Sequence, residues 1–275
     1  MYETIKLDFN KIETERTDSI AILTLSVPEK ANALSKKMVS EIIQATTEIE
    51  TNHNCRALII RGSSKHFSAG ADLQWMKESI SLNERQNLEE AQELASMFEK
   101  IYRLKKPTLA IIEGAAYGGA LGMICACDVS FASDEASFCL SEIKLGLIPA
   151  VILPYLARKI NPGSLRRLSL TGKKFESKYA KEIGLIEHTC NKSNLESSVR
   201  EELQYILTSG PDAIAALKTI HQSIEDNSRK QSDATSKAIA MVRTQDEAQA
   251  GLKSFFTKNK PYWMLTLPEK WTLSE

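Results

Sequence analysis

The sequence contains two short buried strands that each lead through a glycine-containing turn into a helix. The first strand covers residues 56–61 and precedes HFSAGADLQWM, where we predict a helix from about Ala71. The second strand covers residues 107–112 and precedes GAAYGGALGMICACDVS, which begins at Gly114. Strands that alternate with helices favour an α/β fold whose site lies at the loops after the strands.

Periodicity predicts the remaining elements. Residues 6–15 and 19–27 are typical of a pair of strands, and residues 35–51 and 83–104 have the apolar spacing of amphipathic helices. From about Asn194 onwards the chain is predominantly helical. We expect this C-terminal region either to cover the core or to pair with another subunit.

Composition excludes several classes of function. The 275 residues include 35 basic and 35 acidic side chains, so a nucleic acid is not expected as the main partner. No apolar run approaches the roughly 18–20 residues that cross a bilayer, and the N-terminal residues lack the apolar core of a signal peptide. We therefore expect a cytoplasmic protein without a membrane partner. The four histidines and five cysteines show no spacing typical of a metal site, so no metal is expected.

Glycines at a strand-to-helix junction suggest a site for negative charge. The first turn of a helix has amide groups without internal acceptors, and glycine lets a ligand approach the main chain closely. Two such amides directed at one oxygen form an oxyanion hole. The alternative is that Gly70, Gly118 and Gly119 only permit tight turns.

A serine nucleophile is a competing hypothesis. HFSAG differs from the nucleophile-elbow pattern G-x-S-x-G by His66 at its first position, and Ser68 lies several residues beyond the strand end at Ile60. A nucleophile at Ser68 would make the chain a hydrolase.

Several motifs together resemble the crotonase (enoyl-CoA hydratase/isomerase) superfamily. They are KANALS, HFSAGADL, GAAYGGALG, SEIKLGLIP and GLKSFFTKNKP, in this order along the chain. The resemblance implies a spiral of β-β-α units over residues 1–195 and a helical region over residues 196–275 that builds trimers, commonly paired into hexamers. The implied ligand is an acyl-coenzyme A thioester, which is substrate, so no separate cofactor is expected.

The resemblance also implies site residues. The oxyanion donors fall on the amide groups of Ala71 and Gly119. The implied contacts with substrate are Ala31, Ala33, Ala69, Asp72, Leu73, Gly118, Gly122, Phe255 and Lys258. Phe255 and Lys258 are expected near the nucleotide of a neighbouring subunit. Asp72 has an alternative role as an acidic residue that favours a helix N-terminus, and His66 is either a surface residue or a contact of the CoA phosphates.

One of the two glutamates typical of hydratases in this superfamily is missing. The first position falls on Gly122 and the second on Glu142, which becomes the candidate acid/base. Apolar neighbours at Phe138, Leu140 and Ile143 predict a raised pKa for the Glu142 carboxyl if that carboxyl is buried.

The reaction stays open between alternatives. SEIKLGLIPAVILPYL resembles the branch that hydrates 3-methylglutaconyl-CoA or related thioesters in leucine and acyclic-terpene breakdown. An enoyl-CoA isomerase, which needs one base, and a catalytically silent acyl-CoA-binding homologue are the other readings. A glutaconyl substrate carries a second carboxylate, for which Lys77, Lys144 and Arg158 are candidate cations.

Overall fold

The computed structural model describes residues 2–11, 19–225 and 229–260. Nine strands form two sheets within these ranges. The strands are β1 (Ile5–Lys11), β2 (Ser19–Leu25), β3 (Cys55–Gly62), β4 (Thr108–Ile112), β5 (Ala115–Tyr117), β6 (Val129–Ser133), β7 (Ser137–Cys139), β8 (Phe175–Glu176) and β9 (His188–Cys190). The larger sheet has the order β1-β2-β3-β4-β6-β9, and the smaller sheet has the order β5-β7-β8.

Eleven α-helices connect and cover these strands in the described ranges. They are α1 (Lys36–Thr51), α2 (Leu73–Ser79), α3 (Glu84–Arg103), α4 (Gly119–Ala126), α5 (Leu153–Lys159), α6 (Pro162–Thr171), α7 (Ser177–Glu182), α8 (Leu195–Thr208), α9 (Pro211–Glu225), α10 (Arg229–Thr244) and α11 (Asp246–Phe256). Short 3-10 turns cover Pro28–Lys30, Glu142–Leu145 and Lys192–Asn194. None of the helices described has the length and apolar character needed to cross a membrane.

The central strands of the large sheet are buried on both faces. β1 pairs antiparallel with β2, and β2, β3, β4, β6 and β9 then pair in parallel. Because side chains alternate along a strand, Leu58 and Ile60 enter the main core, whereas Ala57 and Ile59 join the smaller core on which α8 packs. The α/β class predicted from the sequence is confirmed.

Capping side chains set where the predicted helices begin. Ser35 and Asn83 are the N-caps of α1 and α3, in agreement with the predicted starts. The helix predicted from about Ala71 begins instead at Leu73, because the Asp72 side chain accepts hydrogen bonds from the amides of Gln74 and Trp75.

The C-terminal helices fold back onto the same chain. α10 packs along α3, and α11 packs against α2 and the 3-10 turn at Glu142–Leu145. The approach of α11 is close, since a Cβ atom on Gly146 would lie 3.1 Å from the Glu247 carbonyl oxygen. The boundary near residue 195 stays a prediction, but α10 and α11 cover the core.

Candidate active site

The two glycine junctions recognised in the sequence meet in space. Ser68 and Ala116 form a parallel bridge, in which the Ser68 amide donates to the Ala115 carbonyl oxygen at 3.1 Å. Gly70 and Gly118 have φ angles of +94° and +52°, a region that side chains rarely adopt. A Cβ atom on Gly118 would lie 4.0 Å from the Gly70 Cα atom, so the two turns are in direct contact.

Each junction leaves one amide without a backbone acceptor. The flanking groups are engaged: the Gly70 carbonyl accepts from Leu34, and the Asp72 amide donates to the Leu34 carbonyl. The Ala71 amide between them donates to no backbone oxygen of the described residues. The Gly119 amide likewise has no such acceptor, because Gly119 is the first residue of α4. Both residues line the same cavity.

Glu142 lies over these junctions. A Cβ atom on Gly118 would be 3.1 Å from Glu142 Oε1. Part of the Glu142 residue faces the cavity, yet its Oε2 atom is buried and has no hydrogen-bond partner among the described residues. Burial raises the pKa of the Glu142 carboxyl to about 7, as its apolar neighbours in the sequence predicted. Such a group changes protonation state near neutral pH and suits general acid/base work.

Apolar side chains occupy the space around Gly122, where the resemblance implies a glutamate in typical hydratases. Gly122 is buried in α4 and does not line the cavity. A Cβ atom there would collide with Ile152 Cγ2 and would lie 2.9 Å from Phe98 Cε1. Ile152 itself lines the cavity. Among the described cavity residues, Glu142 is therefore the carboxylate next to the paired amides.

The cavity has a volume of about 480 Å³ and opens between the core and the C-terminal helices. The 3-10 turn at Glu142–Leu145 and residues 147–152 form one wall. α3 supplies Glu90, Ala91 and Leu94, and α10 supplies Ile239 and Arg243. α11 and the residues after it add Gly251, Phe255 and Asn259.

The structure brings some of the predicted substrate residues to this cavity. Those that line it are Ala69, Leu73, Gly118 and Phe255. Those that do not are Ala31, Ala33, Asp72, Gly122 and Lys258. Ala31 adjoins the site, because its carbonyl accepts from the Ala69 amide at 2.9 Å, whereas Ala33 is buried. Phe255 lines the cavity of its own chain, and Lys258 is exposed beside Asn259.

Two polar groups of the first junction have structural partners. The Asp72 carboxylate caps α2 and forms an ion pair with Lys30 at 2.9 Å, which is the helix-terminus role. His66 Nδ1 accepts from the Ala115 amide at 3.1 Å and so joins the two junctions.

Ser68 is not presented as a nucleophile. Its side chain is fully buried, its Oγ accepts from the Gly70 amide at 3.3 Å, and it does not line the cavity. These contacts weigh against the Ser68 hydrolase.

The cations that line the cavity agree only in part with those suggested by the motifs. Lys144 lines the cavity, whereas Lys77 is exposed on α2 outside it. The Arg158 guanidinium lies over the Tyr102 ring, 4.3 Å from its centroid, and Arg158 is also outside the cavity. Sequence reasoning missed Arg243, which lines the cavity from α10. Arg243 follows Ile239 by four residues, so helical spacing places it on the same face of α10 as this buried side chain. That spacing is the feature of the sequence that could have indicated it.

No cluster of three or more His, Cys, Asp and Glu side chains suited to a metal ion occurs within residues 2–11, 19–225 and 229–260.

Comparison with known proteins agrees with the fold and shows the family. The Enoyl-CoA hydratase/isomerase family model matches residues 15–265. A Bacillus subtilis protein that carries an enoyl-CoA hydratase/isomerase name is 33% identical over 250 residues, covering 90% of this chain and 95% of its own. A mitochondrial Delta(3,5)-Delta(2,4)-dienoyl-CoA isomerase from Dictyostelium discoideum is 28% identical and covers 94% of this chain and 93% of its own.

A solved structure extends the likeness to three dimensions. The crystal structure of an enoyl-CoA hydratase from Shewanella pealeana is 36% identical, with a TM-score of 0.77, and covers 95% of this chain and 96% of that one. The predicted crotonase-like fold is thereby confirmed. The chain is an enzyme that belongs to the enoyl-CoA hydratase/isomerase family.

Proposed function

We propose that the enzyme adds water to a short branched enoyl-CoA, 3-methylglutaconyl-CoA or a related thioester, or catalyses the reverse elimination. The observation that carries this proposal is the Glu142 carboxyl, which is buried beside the Ala71 and Gly119 amides and has a pKa raised to about 7. The acyl-CoA thioester is the substrate class of the family, and no separate cofactor is proposed.

The amides stabilise charge on the thioester oxygen. As an enolate forms, the Ala71 and Gly119 N–H groups donate to the developing oxyanion, and one such donor contributes roughly 2.7–4 kcal/mol. Both donors belong to the main chain, so they are held in place before the substrate binds. Ala69, Leu73 and Phe255 would contact the CoA portion, since they line the same cavity.

Glu142 moves the proton. In hydration, the carboxylate accepts a proton from water while the water oxygen bonds to C3 and electrons shift onto the thioester oxygen. The same carboxyl then returns the proton to C2, so the product gains one water molecule and Glu142 is regenerated. A positioned acid or base of this kind contributes typically ~10² to 10⁴-fold.

The environment of Gly122 favours a second candidate reaction. Ile152 and Phe98 fill the space around this glycine, which leaves one carboxylate beside the amides. An enoyl-CoA isomerase requires one base, which would carry a proton between C2 and C4 of the acyl chain. A substrate panel separates this reaction from hydration.

The test combines that panel with Glu142→Gln. Crotonyl-CoA, 3-methylglutaconyl-CoA and a 3-enoyl-CoA are incubated with the enzyme, and product masses are followed. Hydration adds one water to a 2-enoyl thioester. Isomerisation of the 3-enoyl thioester leaves the mass unchanged but raises the ultraviolet absorbance as the double bond becomes conjugated with the thioester, and a silent binder changes neither the mass nor the absorbance. We expect Glu142→Gln to lower turnover by about 10²- to 10⁴-fold while acyl-CoA binding persists.

The matched control is Glu135→Gln, which removes an exposed carboxylate outside the cavity. This control should keep full activity. Full activity in Glu142→Gln, or an inert wild type that still binds the thioesters, would overturn the proposal. A homotrimer, or a dimer of trimers, is proposed from the family resemblance.

A further inference from the structure

A guanidinium that has no hydrogen bond or ion pair among the described residues lines the cavity from α10. Arg243 lines the cavity, and burial lowers the pKa of its guanidinium against the raising effect of Glu90. No hydrogen bond or ion pair of this guanidinium occurs within the described part of the chain. A guanidinium has five N–H donors and stays charged in proteins, so a half-buried one is costly unless an anion meets it.

The nearby carboxylate of Glu90 is already engaged. Glu90 Oε2 accepts from the Trp75 indole N–H at 2.6 Å, and Oε1 pairs with Lys36 Nζ at 2.6 Å. Lys36 Nζ also lies 3.4 Å from Glu78 Oε2, so Glu90 offsets part of the Arg243 charge at a distance. Both Glu90 oxygens are occupied by Trp75 and Lys36, and the Arg243 N–H groups therefore have no acceptor among the described residues.

Residues of α3 indicate how far the Arg243 end of the cavity lies from the reacting atoms. Phe98 packs 3.9 Å from where a Cβ of Gly119 would lie, at the oxyanion end. Glu90 is eight residues earlier, about 12 Å along the helix axis at 1.5 Å per residue. Leu94 and Ala91 line the wall between them. An acyl chain that leaves the paired amides along this wall crosses an apolar stretch towards the guanidinium, and the long Arg243 side chain, which enters the cavity from α10, would span the distance that a five-carbon diacid does not cover.

We infer that Arg243 binds a carboxylate at the far end of the acyl chain and thereby selects dicarboxylic acyl-CoA substrates. The inference rests on the proposed function, because it assumes that the thioester lies at the Ala71 and Gly119 amides. Arginine suits the role since its planar fork matches the two oxygens of a carboxylate. A neutral acyl chain would leave the guanidinium desolvated and unpaired, which disfavours that substrate.

The CoA phosphates are a second source of anionic oxygen. Saturated thioesters separate the two sources, because glutaryl-CoA and butyryl-CoA share the CoA portion and differ in the terminal carboxylate. Neither can be hydrated, so calorimetric binding is independent of turnover. We expect the wild type to prefer glutaryl-CoA, and Arg243→Gln to weaken glutaryl-CoA about 10- to 100-fold while butyryl-CoA changes little.

Further variants define the controls. Arg243→Lys keeps the charge without the fork and should retain part of the preference. Lys77→Gln removes an exposed charge outside the cavity and should leave the preference intact. Thermal melting verifies that each variant is folded, and Arg243→Lys carries the test if Arg243→Gln does not fold.

Three results would overturn the inference. Equal weakening of both thioesters by Arg243→Gln would assign the guanidinium to the CoA portion. Unchanged binding of both thioesters to Arg243→Gln would show that Arg243 does not recognise the substrate. Loss of the glutaryl-CoA preference in Lys144→Gln alone would assign carboxylate recognition to Lys144. A wild type that prefers glutaryl-CoA but hydrates no enoyl-CoA would instead contradict the proposed function and leave carboxylate recognition standing.

Discussion

Glu142 is a buried acid whose carboxyl lies beside Gly118 and has a pKa raised to about 7. Its apolar sequence neighbours predicted burial and a raised pKa, and both are found. The sequence could not predict that its Oε1 would face Gly118, because that contact joins residues 24 positions apart through the packing of two turns. The buried carboxyl is unfavourable for stability when ionised, which is typical of a functional group held for chemistry.

The raised pKa of Glu142 predicts how stability depends on pH. The ordinary pKa of 4.5 applies to the unfolded chain and about 7 to the folded one. Below pH 4.5 the group is protonated in both states. Between these values the unfolded chain releases the proton first, so the free energy of unfolding falls as pH rises, and above pH 7 the loss is complete. This pKa shift corresponds to a loss of about 3 kcal/mol in the free energy of unfolding.

Glu142→Gln removes this pH dependence. Relative to the wild type, we expect the variant to gain stability between pH 4.5 and pH 8, by up to about 3 kcal/mol. Denaturant unfolding of both proteins at a fixed protein concentration measures the difference. A difference that stays constant across this range would show that Glu142 ionises normally in the folded protein.

At the scale of elements, the starts of helices could be predicted from local capping residues, whereas contacts between distant segments could not. Ser35 and Asn83 marked the starts of α1 and α3 in the sequence because capping is local. The neighbours of Gly122 were not predictable, since Ile152 precedes α5 and lies 30 residues away. The missing glutamate was visible in the sequence, whereas the side chains that surround its position were not.

This packing predicts the effect of adding a methyl group to α4. Helix propensity alone would make Gly122→Ala stabilising by about 1 kcal/mol. The new Cβ would collide with Ile152 Cγ2, and overpacking costs typically about 1–3 kcal/mol, so we expect net destabilisation. Thermal and denaturant unfolding measure the change, and the cost should shrink in an Ile152→Ala background, as a double-mutant cycle would show.

Gly163→Ala is the matched control for this prediction. Gly163 lies in the first turn of α6, and the nearest atom to an added Cβ is Asn161 Oδ1 at 3.8 Å. This variant should be neutral or stabilised by up to about 1 kcal/mol. If Gly122→Ala gained as much stability as Gly163→Ala, Ile152 would not be packed tightly against α4.

At the scale of the whole molecule, the C-terminal helices complete the cavity. The sequence predicted helices after residue 194 but left open whether they cover the core, because an amphipathic pattern does not say what its apolar face meets. The structure places α10 along α3 and brings Arg243 to the cavity from 101 residues beyond Glu142. No motif marks such a residue. Assembly into trimers or hexamers stays a prediction.

The central claim is that Glu142 and the Ala71 and Gly119 amides act together on one thioester. Exchange of the C2 hydrogens of a bound thioester in D₂O tests this claim most directly. The exchange is common to hydration and isomerisation, because Glu142 takes the C2 proton while the amides hold the enolate oxygen. We predict that the wild type exchanges the C2 hydrogens of glutaryl-CoA, with a rate that rises through pH about 7, and that Glu142→Gln slows exchange by about 10²- to 10⁴-fold. Equal exchange in both proteins, or none in a wild type that binds the thioester, would contradict the account.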